Sequence, residues 1–452
     1  MPGRVTVTAP IASGRETRPS EPTPRALDGG ALDVVVVLIG VTIAALWSAH
    51  VQHYQVFRLW DSDEYYALAE QLASGAPVTA SAPYVYRVLT PWIVARCCAA
   101  HIQQGFLIVN VMAGALGAVV LAIWLRRFVA DWRVRALVTT AFVFEWLSPI
   151  RYVYYNPVYC DALLLLFLPL GLICLERCAE RPSAANAIAL VATTGVGILA
   201  REMMVLVPLA ALLHRGLWTR SRGAVRVAAL AGPLVAAAAA TVIAHRGTEP
   251  RVAYSVVAAV GSQLRHKPLF SLVLPWFIAF GPLIAIVLYD WRETLRFLRR
   301  EQHLAGFLAA CAALSYVGGT DSERLLIFAA PVVYVLLGRS ILRHATALAG
   351  AGLIAALLAA QLVSARVFWG IPDPTIEPTS LSGVPTLAGK IVSAMNRLFV
   401  MDDFYWNLWS NFGSRPFHLL RLTCYAAFSA LIIVWLRARS SRVARMSASV
   451  QL

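Results

Sequence analysis

Residues 106–127 read FLIVNVMAGALGAVVLAIWLRR. The twenty residues from Phe106 to Leu125 carry no formal charge, and Arg126 and Arg127 follow at once. About 20 apolar residues are what a helix needs to cross a hydrocarbon core, where the backbone must satisfy its own polar groups. Paired arginines at the end of such a run mark the side of the bilayer on which Lys and Arg collect. The stretch therefore predicts a membrane-crossing helix and its direction.

Working outward, similar runs occur at Val34 to Ala49, Leu163 to Leu175, Val227 to Ala244, Phe270 to Tyr289 and Ala345 to Val363. The whole chain of 452 residues is 59% hydrophobic and 14% charged, against roughly 45–50% and about 25% for a soluble domain. The fold class expected is all-α, a polytopic membrane protein with about twelve transmembrane helices (about 10–13). The net charge of +15 does not imply nucleic acid, because the basic residues form short clusters between apolar runs and no aromatic-interleaved stripe.

Those clusters set a topology. With the N-terminus in the cytoplasm, the inward connections hold Arg126, Arg127, Arg133 and Arg135; Arg177 and Arg181; Arg215, Arg220, Arg222 and Arg226; Arg292, Arg296, Arg299 and Arg300; Arg339 and Arg343. Arg4, Arg15, Arg18 and Arg25 precede the first run, and Arg437, Arg439, Arg442 and Arg445 follow the last. Every inward segment is then basic, a regularity that one miscounted helix would scramble. Residues 1–30 are expected to be a disordered cytoplasmic tail, 31–437 a single membrane domain and 438–452 a second cytoplasmic tail in the plasma membrane. Outside lie a first loop (50–104), short loops near Arg151 to Asp161, Arg201 and Asp321, a medium loop from His245 to Pro268, and a long loop (365–416). In the last, Phe404, Tyr405, Trp406, Trp409 and Phe412 suit a headgroup belt. Val88 to Ala100 is too short to span and is expected to lie on the outer surface. The seven cysteines form no metal pattern; a disulfide from Cys160 to Cys97 or Cys98 is one option among the outer ones.

The residues most suggestive of chemistry sit in the outer loops. Asp61-Ser62-Asp63-Glu64 heads an amphipathic helix with apolar positions 65, 68, 69 and 72. Asp61 and Glu64 suit a capping box as well as they suit catalysis. Asp161 heads a very apolar helix, whose cap it would be on the plainest reading. Arg201 and Arg324 border hydrocarbon, where a lone cation is costly. Each has a neighbouring carboxylate, Glu202 for the first and Asp321 or Glu323 for the second, so a local ion pair competes with anion binding. Arg87 follows Pro83-Tyr84-Val85-Tyr86, and snorkelling is its plain alternative. Glu145, within an apolar run, is a functional candidate by position, with pairing to Arg151 as the alternative.

An acid four residues before Tyr65, with Leu68 and Ala69 beyond, and then a Tyr86-Arg87-x-Leu89-x-Pro91 segment resemble the type C (GT-C) superfamily of integral membrane glycosyltransferases. Protein O-mannosyltransferases and the aminoarabinose transferases of lipid A are examples. The resemblance covers the topology of most of the chain but rests on few short motifs. It implies a polyprenyl-phosphate sugar as donor, transfer at the outer face, and an acid at the start of the first outer loop as the catalytic base. That acid matches Asp61 by spacing, but relatives often have an adjacent Asp-Glu pair, which here is Asp63-Glu64. Either Asp61 or Asp63 is thus the expected base, with Glu64, Tyr65, Arg87, Asp161, Arg201, Glu202, Asp321 and Arg324 as expected substrate-binding residues. One carboxylate suffices: the phosphate leaves without protonation, and a base on the acceptor hydroxyl contributes roughly 10²–10⁴-fold. Attack opposite the phosphate would invert the anomeric carbon.

Asp61, Asp63, Glu64 and Asp161 are also oxygen donors of the kind a divalent cation takes, as in some members of the superfamily; oxygen donors alone are weak evidence, and no metal is assigned. The implied partners are membrane lipid, the lipid-phosphate sugar and an envelope acceptor that is lipid, polysaccharide or protein, with no nucleic acid. Two rivals remain. A transporter or flippase would place charges or broken helices at the midplane and show related halves, and a lipid-linked glycan polymerase or ligase would share the outer-face architecture. A structural scaffold would not require acids and arginines in so many outer loops.

Overall fold

The computed structural model describes residues 31–221, 223–246, 248–250, 255–371, 408–412 and 415–449. The expected tail 1–30, Arg222, and most of the long loop, including Phe404 to Trp406, lie outside the described residues. Along the chain run α1 (Leu32–Val51), α2 (Asp61–Ser74), α3 (Leu89–Cys97), α4 (Ala99–Leu125), α5 (Trp132–Phe144), α6 (Asp161–Glu180), α7 (Ala184–Ala200) and α8 (Glu202–Leu213). Then follow α9 (Gly223–Arg246), α10 (Val256–His266), α11 (Leu274–Phe280), α12 (Ile284–Tyr289), α13 (Gln302–Val317), α14 (Ser322–Arg343), α15 (Ala351–Ser364) and α16 (Arg415–Ser449).

Among the described residues, α1, α4, α6, α9, α14 and α16 are long and apolar enough to cross a membrane, and α7, α8, α13 and α15 are shorter apolar helices. The chain is a mostly helical, multi-pass membrane protein. Helix α14 is the central one, buried on nearly every side, whereas α1, α9 and α16 keep most of their apolar surface on the outside of the bundle. That is the distribution expected when the solvent is lipid and an apolar outer face costs nothing. Close packing between α4 and α6 depends on Gly117, whose Cβ would sit 3.3 Å from the backbone nitrogen of Leu166.

Alternate connections share an end of the bundle. At one end Asp33 takes Arg126 (2.6 Å) and Arg135 (2.7 Å), and Glu176 takes Arg127 (2.6 Å) and His303 (2.7 Å). Part of the basic bias is therefore spent in ion pairs that tie helix ends together. The opposite end carries Asp61, Asp161, Arg201 and Arg324.

Several expectations need correction. The run Phe270 to Tyr289 is no single helix. Leu269–Leu272 form a 3₁₀ turn, α11 ends at Phe280, Gly281 takes φ +67°, and α12 begins at Ile284. Gly281-Pro282 supplies both the left-handed residue and the missing N–H that break a helix. The run Ala345 to Val363 is interrupted likewise, with a short turn at Ala345–Leu348 before α15. No disulfide forms: all seven cysteines are free. The fold also contains one minimal parallel pair, β1 (Thr79–Ala80) with β2 (Glu249–Pro250), which brings the medium loop onto the first one. Trp409 is not an interfacial anchor; it is buried against Trp146 and Tyr152.

Helix α2 follows its expected stripe. Tyr65, Leu68 and Ala69 are buried and Leu72 partly so, and Gly75 in the left-handed region closes the helix. With Val85, Val94, Tyr155 and Leu274 these residues form a second hydrophobic core beneath the first loop. This core holds the acidic start of α2 against the helix ends below.

Candidate functional site

A cavity of ≈ 1180 Å³ opens beneath α2. Its head is lined by Asp61, Tyr84, Tyr86, Arg87, Arg201, Glu202, Asp321 and Arg324. Its lower walls are apolar, with Leu234, Ala237, Ala238 and Thr241 of α9 facing Leu314 of α13 and Leu325 of α14. Ala238 and Thr241 of this wall are exposed, so the cavity side of α9 is accessible. From His245 to Leu234 is eleven residues, so at 1.5 Å per residue the cavity descends about 16 Å.

Asp61 is held from two distant segments. Its Oδ1 accepts the Tyr84 hydroxyl at 2.6 Å and its Oδ2 the Tyr159 hydroxyl at 2.9 Å, while Arg324 Nη2 stands 3.9 Å from Oδ2. Burial and the Asp61 charge push both phenols well above the usual tyrosine range, so they remain donors. The capping-box alternative is not what the fold uses. The N-cap residue of α2 is Trp60 with no side-chain cap, and Glu64 accepts the Ser81 N–H (2.9 Å) and hydroxyl (2.7 Å).

The two candidate bases are thereby separated. Asp61 faces the cavity, whereas Asp63 is half exposed and approaches Arg58 at 3.9 Å. Tyr65 is fully buried outside the cavity; its hydroxyl accepts from Arg87 Nη1 at 2.6 Å.

The three arginines all reach the cavity head. Arg87 is buried and does not snorkel, Arg201 does not pair with adjacent Glu202, and Arg324 does pair with its neighbour Asp321. Arg87 forks onto Glu202 (Nε 2.8 Å, Nη2 2.5 Å). Arg201 leaves its neighbour Glu202 and meets Asp161, with the Phe328 ring 5.2 Å from its guanidinium carbon. Arg324 contacts Asp321 (3.1 Å) and Asp161 (3.5 Å) and lies 4.0 Å over the Tyr159 ring. Asp161 thus bridges two guanidiniums and does not serve as a cap. Nε and Nη1 of both Arg201 and Arg324 are buried without an aligned hydrogen-bond acceptor. Burial, and after it the Arg87 charge, pushes Arg201 down to about 10. An anion placed among buried guanidinium donors that repel one another would satisfy the unaligned donors and relieve the repulsion.

The four oxygen donors named as cation ligands do not converge: Asp61 serves two phenols, Asp63 faces Arg58, Glu64 holds Ser81, and Asp161 bridges arginines. They do not fit a divalent cation. Among the described residues, His and carboxylate ligand atoms meet at the opposite end, at Glu176, His214 and His303. There His214 Nδ1 accepts the Gly216 N–H (3.1 Å), which puts its proton on Nε2, and Arg127 already occupies Glu176. That tautomer suits an ion-pair knot better than a metal.

Glu145 is fully buried at the C-terminal end of α5 and accepts from Gln361. Arg151 does not pair with it; its guanidinium donates to the carbonyls of Phe144, Ala365 and Arg366. Tyr84, Tyr159, Gln263 and His245 also belong to the site although spacing did not single them out. His245, in the last turn of α9, stacks on Tyr86 at 3.8 Å.

No protein-family model and no curated protein matches the chain. Among solved structures it is similar to the Archaeoglobus fulgidus oligosaccharyltransferase in complex with zinc and sulfate, with TM-score 0.45 and 14% identity. The match covers 80% of this chain and 56% of that one, so the chain spans about half the length of that protein. The likeness is distant.

Proposed function

We propose that this chain is an inverting glycosyltransferase that moves a sugar from a polyprenyl-phosphate donor to an acceptor hydroxyl at the outer face of the plasma membrane. The observation that carries the reading is a carboxylate and buried, under-satisfied guanidiniums at the polar head of a cavity with apolar walls. A lipid with an anionic head and a long apolar tail has that polarity. The phosphate lies at Arg201 and Arg324 and the chain descends along α9. Asp61 takes the proton of the acceptor hydroxyl as its oxygen bonds to the anomeric carbon; the bond from that carbon to the phosphate oxygen breaks, and polyprenyl phosphate departs with the electron pair. Tyr84 and Tyr159 aim the carboxylate. Asp61, Tyr86 and Arg87, which belong to the two segments that resemble the GT-C superfamily, all line this one cavity.

A transporter is the second reading, favoured by the buried Glu145 and the break at Gly281 between α11 and α12. Mass spectrometry of envelope glycans and glycoproteins in cells lacking the protein separates the two. Transfer predicts that one sugar disappears and returns with the restored gene, and identifies the acceptor by mass. Glycans of altered length would point to a polymerase. An unchanged profile in cells stripped of redundant transferases would favour the transporter.

A further inference from the structure

Three features mark the turn between α13 and α14. Gly318 and Gly319 leave it without side chains to fix it. It nevertheless carries Asp321 and leads within a few residues to Arg324, both of which line the cavity. And it is gripped from outside by Lys267, a residue that follows α10 in the medium loop.

Lys267 is buried, and its ammonium has three protein acceptors: the carbonyl of Ser315 (3.0 Å), the carbonyl of Gly319 (2.5 Å) and the hydroxyl of Ser322 (2.8 Å). The first two belong to the C-terminal end of α13 and the turn after it, where helix carbonyls lack partners and a cation is favoured. The third belongs to the first turn of α14. One ammonium with three N–H donors therefore ties the end of one helix to the start of the next. Asn411 adds a second clasp, donating to Thr320 O and to Ser322 Oγ (3.1 Å), and Ser410 N–H donates to Glu323 at 2.5 Å.

We infer that Lys267 is a positioning residue that holds the Gly318–Ser322 turn in place, and with it Arg324 at the head of the cavity. The inference rests on the proposed function for what Arg324 binds, but not for the tether itself. Among the described residues no carboxylate lies within ion-pair distance of Lys267. Asp321 and Glu323 face it from the turn and α14, Tyr316 from α13 donates its hydroxyl to the Lys267 carbonyl (3.3 Å), and His266 on its own helix is turned to Ser262 (2.8 Å). Burial lowers its pKa to about 8. Above that pH the amine keeps two N–H donors for three acceptors, so the tether loosens.

The test is hydrogen–deuterium exchange of the full chain in lipid nanodiscs between pH 7 and 9.5. Protection of residues 318–324 is divided by that of residues 330–340 in the same molecule, which cancels base-catalysed exchange. The ratio is expected to fall at least threefold through pH 8 in the wild type, to stay flat in Lys267→Arg, and to be low at every pH in Lys267→Met. A wild-type ratio that is constant to pH 9.5 overturns the inference, and needs no variant to fold. Binding of farnesyl phosphate to the same samples is expected to weaken over the same pH range. If the wild type binds no farnesyl phosphate at any pH, the proposed function fails while the exchange data still decide the role of Lys267.

Discussion

Asp61→Asn keeps the shape of the side chain and removes one proton acceptor from the cavity head. In the wild type both carboxylate oxygens accept a phenolic proton, from Tyr84 at 2.6 Å and Tyr159 at 2.9 Å. The amide can accept only one of them and turns an N–H toward the other, so one phenol accepts that N–H and its own O–H loses its acceptor, at a cost of about 1–3 kcal/mol. A chain of this size absorbs that with a melting temperature lowered by a few degrees at most. The effect on transfer is larger. Loss of a general base costs roughly 10²–10⁴-fold, or about 3–5 kcal/mol in the barrier. With enzyme limiting, the variant is expected to yield at most about 1% of the wild-type glycan. Asp63→Asn is the control: its half-exposed carboxylate meets Arg58 only at 3.9 Å, a surface contact worth about 0–1 kcal/mol, and it should restore the glycan fully. The assay is mass spectrometry of envelope glycans from deletion cells carrying each variant at matched membrane abundance. Full restoration by Asp61→Asn, or loss with Asp63→Asn alone, would refute the assignment of the base.

Ala238→Trp fills the apolar wall of the cavity from an exposed position on α9; it is expected to weaken farnesyl phosphate binding at least tenfold, about 1.4 kcal/mol, with little change in melting temperature. Unchanged affinity in a titration of purified protein would place the lipid elsewhere. Arg324→Gln leaves Asp161, Asp321 and Asp61 short of a cation, and should lower stability by about 3–5 kcal/mol in thermal unfolding while abolishing phosphate binding. A variant as stable as wild type would mean that Arg324 carries little of the network.

Much of the fold is legible in the sequence because hydropathy and helical period are local. The span ending at Arg126 and the buried stripe of Tyr65, Leu68 and Ala69 follow from residues within a few turns of one another. What hydropathy cannot report is chain direction within an apolar run, and Gly281-Pro282 broke a predicted helix whose composition was unimpaired. The charged residues that line the cavity head were also legible, since acids and arginines at helix ends are costly without a use. Their partners were not. Asp61 finds Tyr84 23 residues on and Tyr159 98 residues on, and Arg201 passes over adjacent Glu202 for Asp161. Pairings between helices depend on how the bundle packs, which no spacing encodes. His245 is the clearest case, reaching Tyr86 159 residues away because the end of α9 packs on the first outer loop.

The charge balance of the cavity head makes one more demand on the reading. Arg87, Arg201 and Arg324 face Asp61, Asp161, Glu202 and Asp321, one carboxylate more than there are guanidiniums. A phosphate ester arriving there with one or two further negative charges must displace a carboxylate from an arginine. Asp161 is the natural one to yield, since it is shared by Arg201 and Arg324 and its contacts with both are poorly aligned as hydrogen bonds. Asp161→Asn removes the surplus charge and frees donors on both arginines. It should therefore tighten farnesyl phosphate binding by about tenfold at low ionic strength, about 1.4 kcal/mol, with a smaller gain at high salt. The same change takes a counter-charge from two buried guanidiniums and should lower the melting temperature in the absence of ligand, with the loss recovered as ligand is added. Weaker binding by a folded Asp161→Asn protein would show that Asp161 aims the arginines and does not compete for them, and that the anion is held by some other group.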